Sequence, residues 1–471
     1  MQGSEAIAEL QKDAAKAADL IKRAKDVLIV AHIDADGISS AAIAKETCDR
    51  LGKENEVLFA SKMDDATIDY INSSKRSVVW IVDLGSGYIS KYTRDRIVIT
   101  DHHVIDPNWG KEVQTKLDRF WMRMEHVNGH THGLDGSVEM CGASTTYLVS
   151  KEIDPKNVNL AYIAVIGACG DLQDRMYSML VSVNNLALAD AVANGDVRVE
   201  KDIRLFGRET RGLIPLIQYS TDPVIDGLTD NSQECFRFYE SLDIPIRKNG
   251  KYLSWNDLSE KEKERAREAL VKRVKPEDVD VLIGDVYTLL KFPHEGGLRD
   301  AKEFATTLNS CGRYDDAPTG LRICLGDTEA IKEADDNRAE HRKNISAALQ
   351  YVKQHNLVKQ RNYIQYFNAG SSIRDTVVGI VAGMLLNSDG CRRDLPMIAF
   401  AEAEDGIKVS ARADRSLGDR GLDLSVVMST AAQLVGGFGG GHNVAAGATI
   451  PPGKEKEFLD AVEDIVASQV I

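Results

Sequence analysis

The chain predicts an α/β fold: an N-terminal parallel-sheet domain, a helical and mixed insertion, and a smaller C-terminal α/β domain. Three observations carry this. Short apolar runs that end in acidic residues alternate with helical patterns from about 25 to 195, as in a parallel sheet covered by helices. Between about 200 and 355 the texture changes to mixed charge at helical spacing. From about 360, strand and helix patterns resume. With 471 residues and 43% hydrophobic content, the chain can bury sizeable cores and divides into two or three domains. The boundaries read as an N-terminal helix over 1–24, the parallel-sheet domain over 25–200, the insertion with a connecting helix over 201–357, and the C-terminal domain over 358–471.

The N-terminus sets Lys12, Lys16, Lys22 and Arg23 among alanines and leucines, the pattern of an amphipathic helix. It lacks the continuous apolar core of a signal peptide. No run reaches the ~18 apolar residues that span a bilayer, so a soluble, cytoplasmic protein is expected, without membrane partners.

Val27–Val30 follows as a buried-strand run, then His32-Ile33-Asp34-Ala35-Asp36-Gly37, then a helical pattern from Ile38 to Leu51. Ligands of parallel α/β sheets collect at the carboxyl ends of strands. An imidazole and two carboxylates at alternate positions there form a metal-binding constellation. Gly37 permits a tight turn, and the helix points its first N–H groups at whatever anion arrives. The pattern recurs. Val78–Val82 ends in Asp83, Ile97–Thr100 ends in Asp101-His102-His103, and Tyr162–Gly170, read as another strand, ends in Asp171. A single acid after a strand is ordinarily a helix cap, but caps need no imidazole. Carboxylates held this close repel one another and take up protons unless cations lie between them. The economical reading is a dinuclear metal site bridged by an aspartate. Mixed carboxylate and imidazole donors suit Mn²⁺ or Mg²⁺, and the histidines favour Mn²⁺.

The remaining features are more ambiguous. Cys48, Cys141, Cys169, Cys235, Cys311, Cys324 and Cys391 form no CxxC pair, so they read as isolated reduced thiols. His126, His130 and His132 lie close together in a polar loop, which admits either a third metal site or a lining of the site's mouth. Gly142–Thr146 starts a helix whose N-terminus either meets phosphate or is simply capped. Within the insertion, Ser259–Glu268 reads as a solvated helix face, and Val281–Gly284 and Leu321–Leu325 read as strands. Tyr363–Phe367, Pro396–Ala401 and Ile407–Arg412 are the strands of the last domain. Ser371–Asp375 opens an apolar helical stretch. Arg374 and Arg412 offer planar guanidinium groups to phosphate or to surface salt bridges. Leu434–Asn443 is glycine-dense: a flexible turn, or a place where backbone closely approaches a ligand.

The set formed by HxDxD at His32, the solitary Asp83, Asp101-His102-His103 and the late Asp171 resembles the DHH phosphoesterases. Asp83–Gly87, His126–His130 and Gly170–Asp174 resemble, within that superfamily, the archaeal RecJ-like nucleases associated with GINS. The resemblance covers most of the chain. It implies two Mn²⁺ (or Mg²⁺) ions per site, with His32, Asp34 and Asp83 around one. Asp36, Asp83, His102 and Asp171 hold the other, so Asp83 bridges. His103 faces the scissile phosphate and Asp101 orients the histidines. The resemblance also implies that Gly439, Gly440, Gly441 and His442 belong to a substrate-binding C-terminal domain. It also puts His130 near the substrate, and Arg374 and Arg412 are expected phosphate contacts from their guanidinium geometry.

The implied activity is metal-dependent hydrolysis of single-stranded DNA or RNA from its ends, in replication and repair, with GINS docked on the insertion. Two such cations clamp the attacking and leaving oxygens of an in-line displacement, so no serine or cysteine nucleophile is needed. The net charge of −14 argues against broad adhesion to nucleic acid, and few aromatics flank the motifs. Both favour work on strand ends. Two alternatives stay open: a phosphodiesterase or phosphatase of oligoribonucleotides, cyclic dinucleotides or pAp, and a replication scaffold bound to GINS. Family II pyrophosphatases share the N-terminal motifs, but the GGGH segment speaks against them.

Overall fold

The computed structural model describes residues 2–107, 123–220, 222–293, 296–386, 388, 390–441 and 443–470. The chain forms two compact units, Met1–Asn337 and Arg338–Ile471.

The first unit opens with helix α1 (Gln2–Lys22), whose Leu10, Ala14, Ala17 and Ile21 are fully buried. Strands β1 (Asp26–His32), β2 (Glu54–Ala60), β3 (Val78–Val82), β4 (Ile97–Thr100) and β5 (Met124–Val127) make one parallel sheet. Its order is β2-β1-β3-β4-β5. The interior strands β3 and β4 are buried throughout, whereas the edge strand β2 carries Glu54, Asn55 and Glu56. That contrast is expected when helices cover both faces of a parallel sheet.

Alternate residues serve opposite faces. Val27, Ile29, Ala31, Trp80 and Val82 pack with α1, α2 (Ala35–Arg50), α4 (Gly142–Ile153) and α5 (Ala161–Gly170). Leu28, Val30, Val79, Ile81 and Ile99 pack on the other side with Ile68 and Ile71 of α3 (Asp65–Ser73). Strand order reverses between β1 and β3, and such a switch point leaves a crevice at the strands' carboxyl ends.

After α6 (Ser182–Ala193), β6 (Val197–Ile203) begins an excursion. It contains helices α7 (Leu213–Gln218) and α8 (Ser232–Ser241), a short hairpin of β7 (Arg247–Lys248) and β8 (Lys251–Tyr252), then α9 (Glu260–Val271) and α10 (Val279–Leu282). These surround their own core of Trp255, Phe238, Tyr239 and Leu270. The excursion closes where β9 (Ile283–Leu289) pairs antiparallel with β6. Helix α9 is mostly solvated, as its charge pattern predicts. Helices α11 (Ala301–Arg313) and α12 (Ala317–Cys324) return to the main core, and α13 (Thr328–Gln354) leads out of the unit.

Three sequence readings are corrected here. Tyr162–Gly170 is the buried helix α5 and not a strand. Leu321–Leu325 lies in and just after helix α12. Val281–Gly284 is half helix, with the strand starting at Ile283. In each case a continuous apolar run was compatible with either a buried strand or a buried helix.

The second unit is a six-stranded mixed sheet of order β10-β11-β12-β13-β15-β14. Its strands are β10 (Lys359–Gln360), β11 (Gln365–Asn368), β12 (Met397–Ala403), β13 (Gly406–Arg412), β14 (Phe438–Gly441) and β15 (Ala445–Ile450). Helix α14 (Asp375–Leu386) covers one face. Helices α16 (Leu424–Leu434) and α17 (Glu455–Val470) cover the other, and the short α15 (Arg415–Asp419) lies between β13 and α16. The glycine-dense segment is therefore an edge strand and not a flexible turn: Gly439, Gly440 and Gly441 pair with Ala448, Gly447 and Ala446. All seven cysteines are free. Among the described residues no helix is long and apolar enough to cross a membrane.

Candidate metal centre

Register builds the site. Ala31 of β1 pairs with Val82 of β3, and Val82 pairs with Thr100 of β4. His32, Asp83 and Asp101 therefore emerge side by side at the switch point. Asp83 donates its N–H to the Thr100 carbonyl at 2.9 Å and adopts a left-handed φ of 60°. A non-glycine residue in that region is uncommon and is held there by its surroundings.

Asp83 turns its two oxygens to two different groups. Oδ2 lies 3.5 Å from His32 Nδ1, which itself lies 2.9 Å from Asp34 Oδ2. Oδ1 lies 3.2 Å from His102 Nε2. That nitrogen is also 3.2 Å from Asp171 Oδ2 and 3.7 Å from Asp36 Oδ2. His32, Asp34 and Asp83 thus offer one set of converging donors, and Asp36, His102 and Asp171 offer another beside it.

Supporting contacts fix each donor. Asp34 caps α2, accepting from Gly37 N–H at 2.9 Å, and Ala35 N–H donates to Asn309 Oδ1 at 2.9 Å. These first N–H groups of α2 are therefore taken by the chain itself, not held ready for an external anion. Gly37 lies inside α2 at a close approach to the His32 carbonyl, not in a turn. The N-terminus of α4 holds an internal anion too. Asp36, fully buried, accepts from Gly142 N–H at 2.6 Å and Ala143 N–H at 2.9 Å. That helix start neither waits for phosphate nor is merely capped. His102 Nδ1 donates to the Gly136 carbonyl at 2.6 Å, which leaves Nε2 for the carboxylates. Gln173 Nε2 donates to the same carbonyl at 2.9 Å.

Asp101 is occupied differently. Its Oδ1 accepts from His102 N–H at 2.8 Å and from His103 Nδ1 at 2.8 Å, and its Oδ2 accepts from Ser86 N–H at 2.9 Å. Its lone pairs are committed to orientation. The His103 side chain is 53% exposed, with its Nδ1 engaged by Asp101.

The electrostatics follow from this crowding of buried charged groups. Burial, and next the neighbouring Asp83 charge, push the Asp36 carboxyl well above its ordinary value. Burial and Asp36 likewise raise Asp171. Burial disfavours charging His32 and His102, but Asp34 and Asp83 overcome it at His32, and Asp171 and Asp83 do so at His102, holding both imidazoles well above the usual range. Burial also opposes the charge on His103, but Asp101 raises it to about 9. Asp101 itself is held below the usual carboxylate range: burial works against this, and His103 and the other hydrogen bonds prevail. Buried His32 Nδ1, both Asp83 oxygens and His102 Nε2 lack a hydrogen-bonding partner of good geometry among the described residues. Raised carboxyls at Asp36 and Asp171, beside inward-facing imidazole nitrogens, fit divalent cations with oxygen and nitrogen ligands.

The other expected residues are placed as follows. His126 lies on β5, not in a loop, with Nε2 at 2.9 Å from Ser86 Oγ. Burial pushes it down to about 4. His132 Nε2 pairs with Asp13 of α1 at 2.8 Å. His130 sits against Gly136. The three therefore have separate partners and converge on no common metal position. Arg374, Arg412 and Gly439 to Gly441 belong to the second unit, where Arg412 Nη1 donates to the Ala411 carbonyl at 2.8 Å. His442 lies outside the described residues.

Sequence reasoning missed Asn309 and the half-buried Arg313, both on α11. Asp34 is among the charges acting on the Arg313 guanidinium. A separation of 274 residues between Ala35 and Asn309 hides this pairing from any local pattern. It also missed Gly142, where a Cβ would lie 2.5 Å from Asp83 Cβ and Oδ1.

Comparisons with known proteins agree with this architecture. Residues 205–282 match the DHH-CID domain model, and residues 361–468 match the DHHA1 domain model. An uncharacterised protein of Methanocaldococcus jannaschii is 30% identical over 451 residues, covering 94% of each chain. CDC45 from Entamoeba histolytica superposes with a TM-score of 0.63 at 12% identity, covering 98% of this chain and 99% of that one. RecJ from Thermus thermophilus, solved with Mn²⁺, gives a TM-score of 0.58 at 15% identity over 98% of this chain. The chain spans 55% of that RecJ's length. At these identities the solved structures speak for the fold, and the near full-length relative and two domain models speak for the lineage. The chain belongs to one family with the M. jannaschii protein, and it carries the DHH-CID and DHHA1 domains on a fold that is similar to that of RecJ and CDC45.

Proposed function

We propose that this protein is a metal-dependent exonuclease that hydrolyses the phosphodiester bonds of single-stranded DNA or RNA. One observation carries the reading: the two oxygens of Asp83 face two separate donor groups, as a ligand shared by two cations must. His32 and Asp34 would complete one position, and Asp36, His102 and Asp171 the other. Bound there, Mn²⁺ or Mg²⁺ would neutralise phosphate charge and make water a nucleophile near neutral pH.

The chain's own groups do the rest. His103, anchored through Nδ1 to Asp101, offers Nε2 to donate to an oxygen of the scissile phosphate. Arg313, a half-buried guanidinium that feels the charge of Asp34, is suited to a second phosphate oxygen. His130, Arg374, Arg412, Gly439, Gly440, Gly441 and His442 are the proposed contacts to the rest of the strand. The RecJ-like fold and a net charge of −14 favour strand ends over duplex. A cytoplasmic site of action in replication and repair, with GINS docked on residues 201–357, completes the proposal.

Digestion of 5′- and 3′-labelled 20-mers of DNA and RNA with Mn²⁺ tests it. Stepwise release of mononucleotides from one end supports the reading. Cleavage of dinucleotides with intact 20-mers would transfer the site to small substrates, and no cleavage of either would leave a scaffold.

A further inference from the structure

Ser86 and Asn128 belong to neither donor group, yet their atoms bind both ends of the element that carries His103. Asn128 is fully buried. Its Nδ2 donates to the His103 carbonyl at 2.9 Å and to Ser86 Oγ at 2.9 Å, and its Oδ1 accepts from His130 N–H at 3.0 Å. Ser86, also fully buried, donates its N–H to Asp101 Oδ2, and its carbonyl accepts from Asp106 N–H at 2.9 Å. Ser86 Oγ, which accepts from Asn128, also lies at hydrogen-bond distance from His126 Nε2, 2.9 Å away. Burial keeps that imidazole neutral. The chain of bonds runs His126, Ser86, Asn128 on one side and Ser86, Asp101, His103 on the other, closing on a single residue.

We infer that Asn128 and Ser86 are positioning residues that lock the Asp101–His103 pair, so that His103 Nε2 meets the scissile phosphate in one orientation. This rests on the phosphodiesterase reading of the site. A half-exposed imidazole on a loop would otherwise sample several rotamers, and catalytic groups lose rate when misplaced by an ångström. Asn128 fixes the His103 backbone, Asp101 fixes its ring, and Ser86 ties the two restraints together. Neither residue touches the metal donors, so the lock acts on turnover and not on metal content.

The test is a double-mutant cycle in Mn²⁺ on a labelled single strand and on bis(p-nitrophenyl) phosphate. Asn128→Ala should lower kcat about 10- to 100-fold, as losses of orienting partners do, with KM and bound Mn²⁺ unchanged. In a His103→Ala background the same change should cost less than about threefold, because there is nothing left to position. Asn128→Asp, which keeps the shape but not the donor, and Ser86→Ala carry the test if Asn128→Ala fails to fold. Equal losses in both backgrounds, or loss of Mn²⁺, would overturn the inference. A second readout needs no turnover. The His103 Nδ1 proton, bonded to Asp101, should give a low-field NMR signal in the wild type that broadens in Asn128→Asp. A wild type that cleaves no phosphodiester refutes the nuclease reading, whereas an unchanged proton signal in Asn128→Asp refutes the lock.

Discussion

At the scale of single residues, the chain buries polar groups whose protonation follows from their surroundings. His126 is a clear case. Its folded value of about 4 lies below the ordinary 6.5; burial is the cause, with Asp101 and Asp13 acting the other way. Between those pH values the unfolded chain holds a proton that the folded chain does not. Stability from this residue is therefore complete above pH 6.5 and is lost as pH falls toward 4. His126→Gln cannot titrate and keeps a hydrogen-bonding group for Ser86. The wild type's advantage in urea stability over this variant should shrink between pH 7.5 and 5.0, by on the order of 2 kcal/mol. A pH-independent difference would contradict the assignment. The donor residues were legible in the sequence because histidines and acids cluster behind apolar runs. Asn309, Arg313, Ser86 and Asn128 were not, since their roles depend on contacts that only the folded chain creates.

At the scale of elements, strand register does the assembling. The parallel runs β1, β3 and β4 were readable from their continuous apolar residues, and the switch point then puts Asp83 beside His32 and Asp101. The element bearing Asp171 was misread, because Tyr162–Cys169 is apolar on every side. Its glycines and alanines, which let α5 pack closely among other helices, were the overlooked signal. The start of α4 was equally opaque: its N–H groups bind Asp36, a residue 106 positions away. Gly142 packs tightly here, with the Cβ position 2.5 Å from Asp83 Cβ and Oδ1. Gly142→Ala should therefore displace Asp83 and weaken Mn²⁺ binding roughly 10-fold or more, about 1.4 kcal/mol or greater. Titration calorimetry reads this, and circular dichroism should show the fold retained. Undiminished affinity would mean that Asp83 moves freely or does not bind the metal.

At the scale of the whole molecule, the residues that a metal centre needs all lie in the first unit, outside the excursion between β6 and β9. That excursion has its own core around Trp255, and its ends meet where Ile203 pairs with Ile283. Replacing residues 205–282 by a short glycine–serine link should leave Mn²⁺ binding and short-oligonucleotide cleavage largely intact while abolishing co-purification with GINS. Cleavage lost together with folding would make the excursion structural, and retained GINS binding would place the docking surface outside residues 205–282. The domain boundaries could be read only to this coarse level, because the change in charge texture marks where the excursion begins but not how it folds.

Counting Mn²⁺ per chain in wild type and Asp83→Ala by native mass spectrometry, with turnover measured in parallel, tests most directly whether Asp83 is a ligand shared by two cations. Two ions in the wild type, their loss in the variant and a fall in rate of roughly 10³-fold or more, about 4 kcal/mol, are predicted. Two ions retained by Asp83→Ala at near wild-type turnover would contradict it.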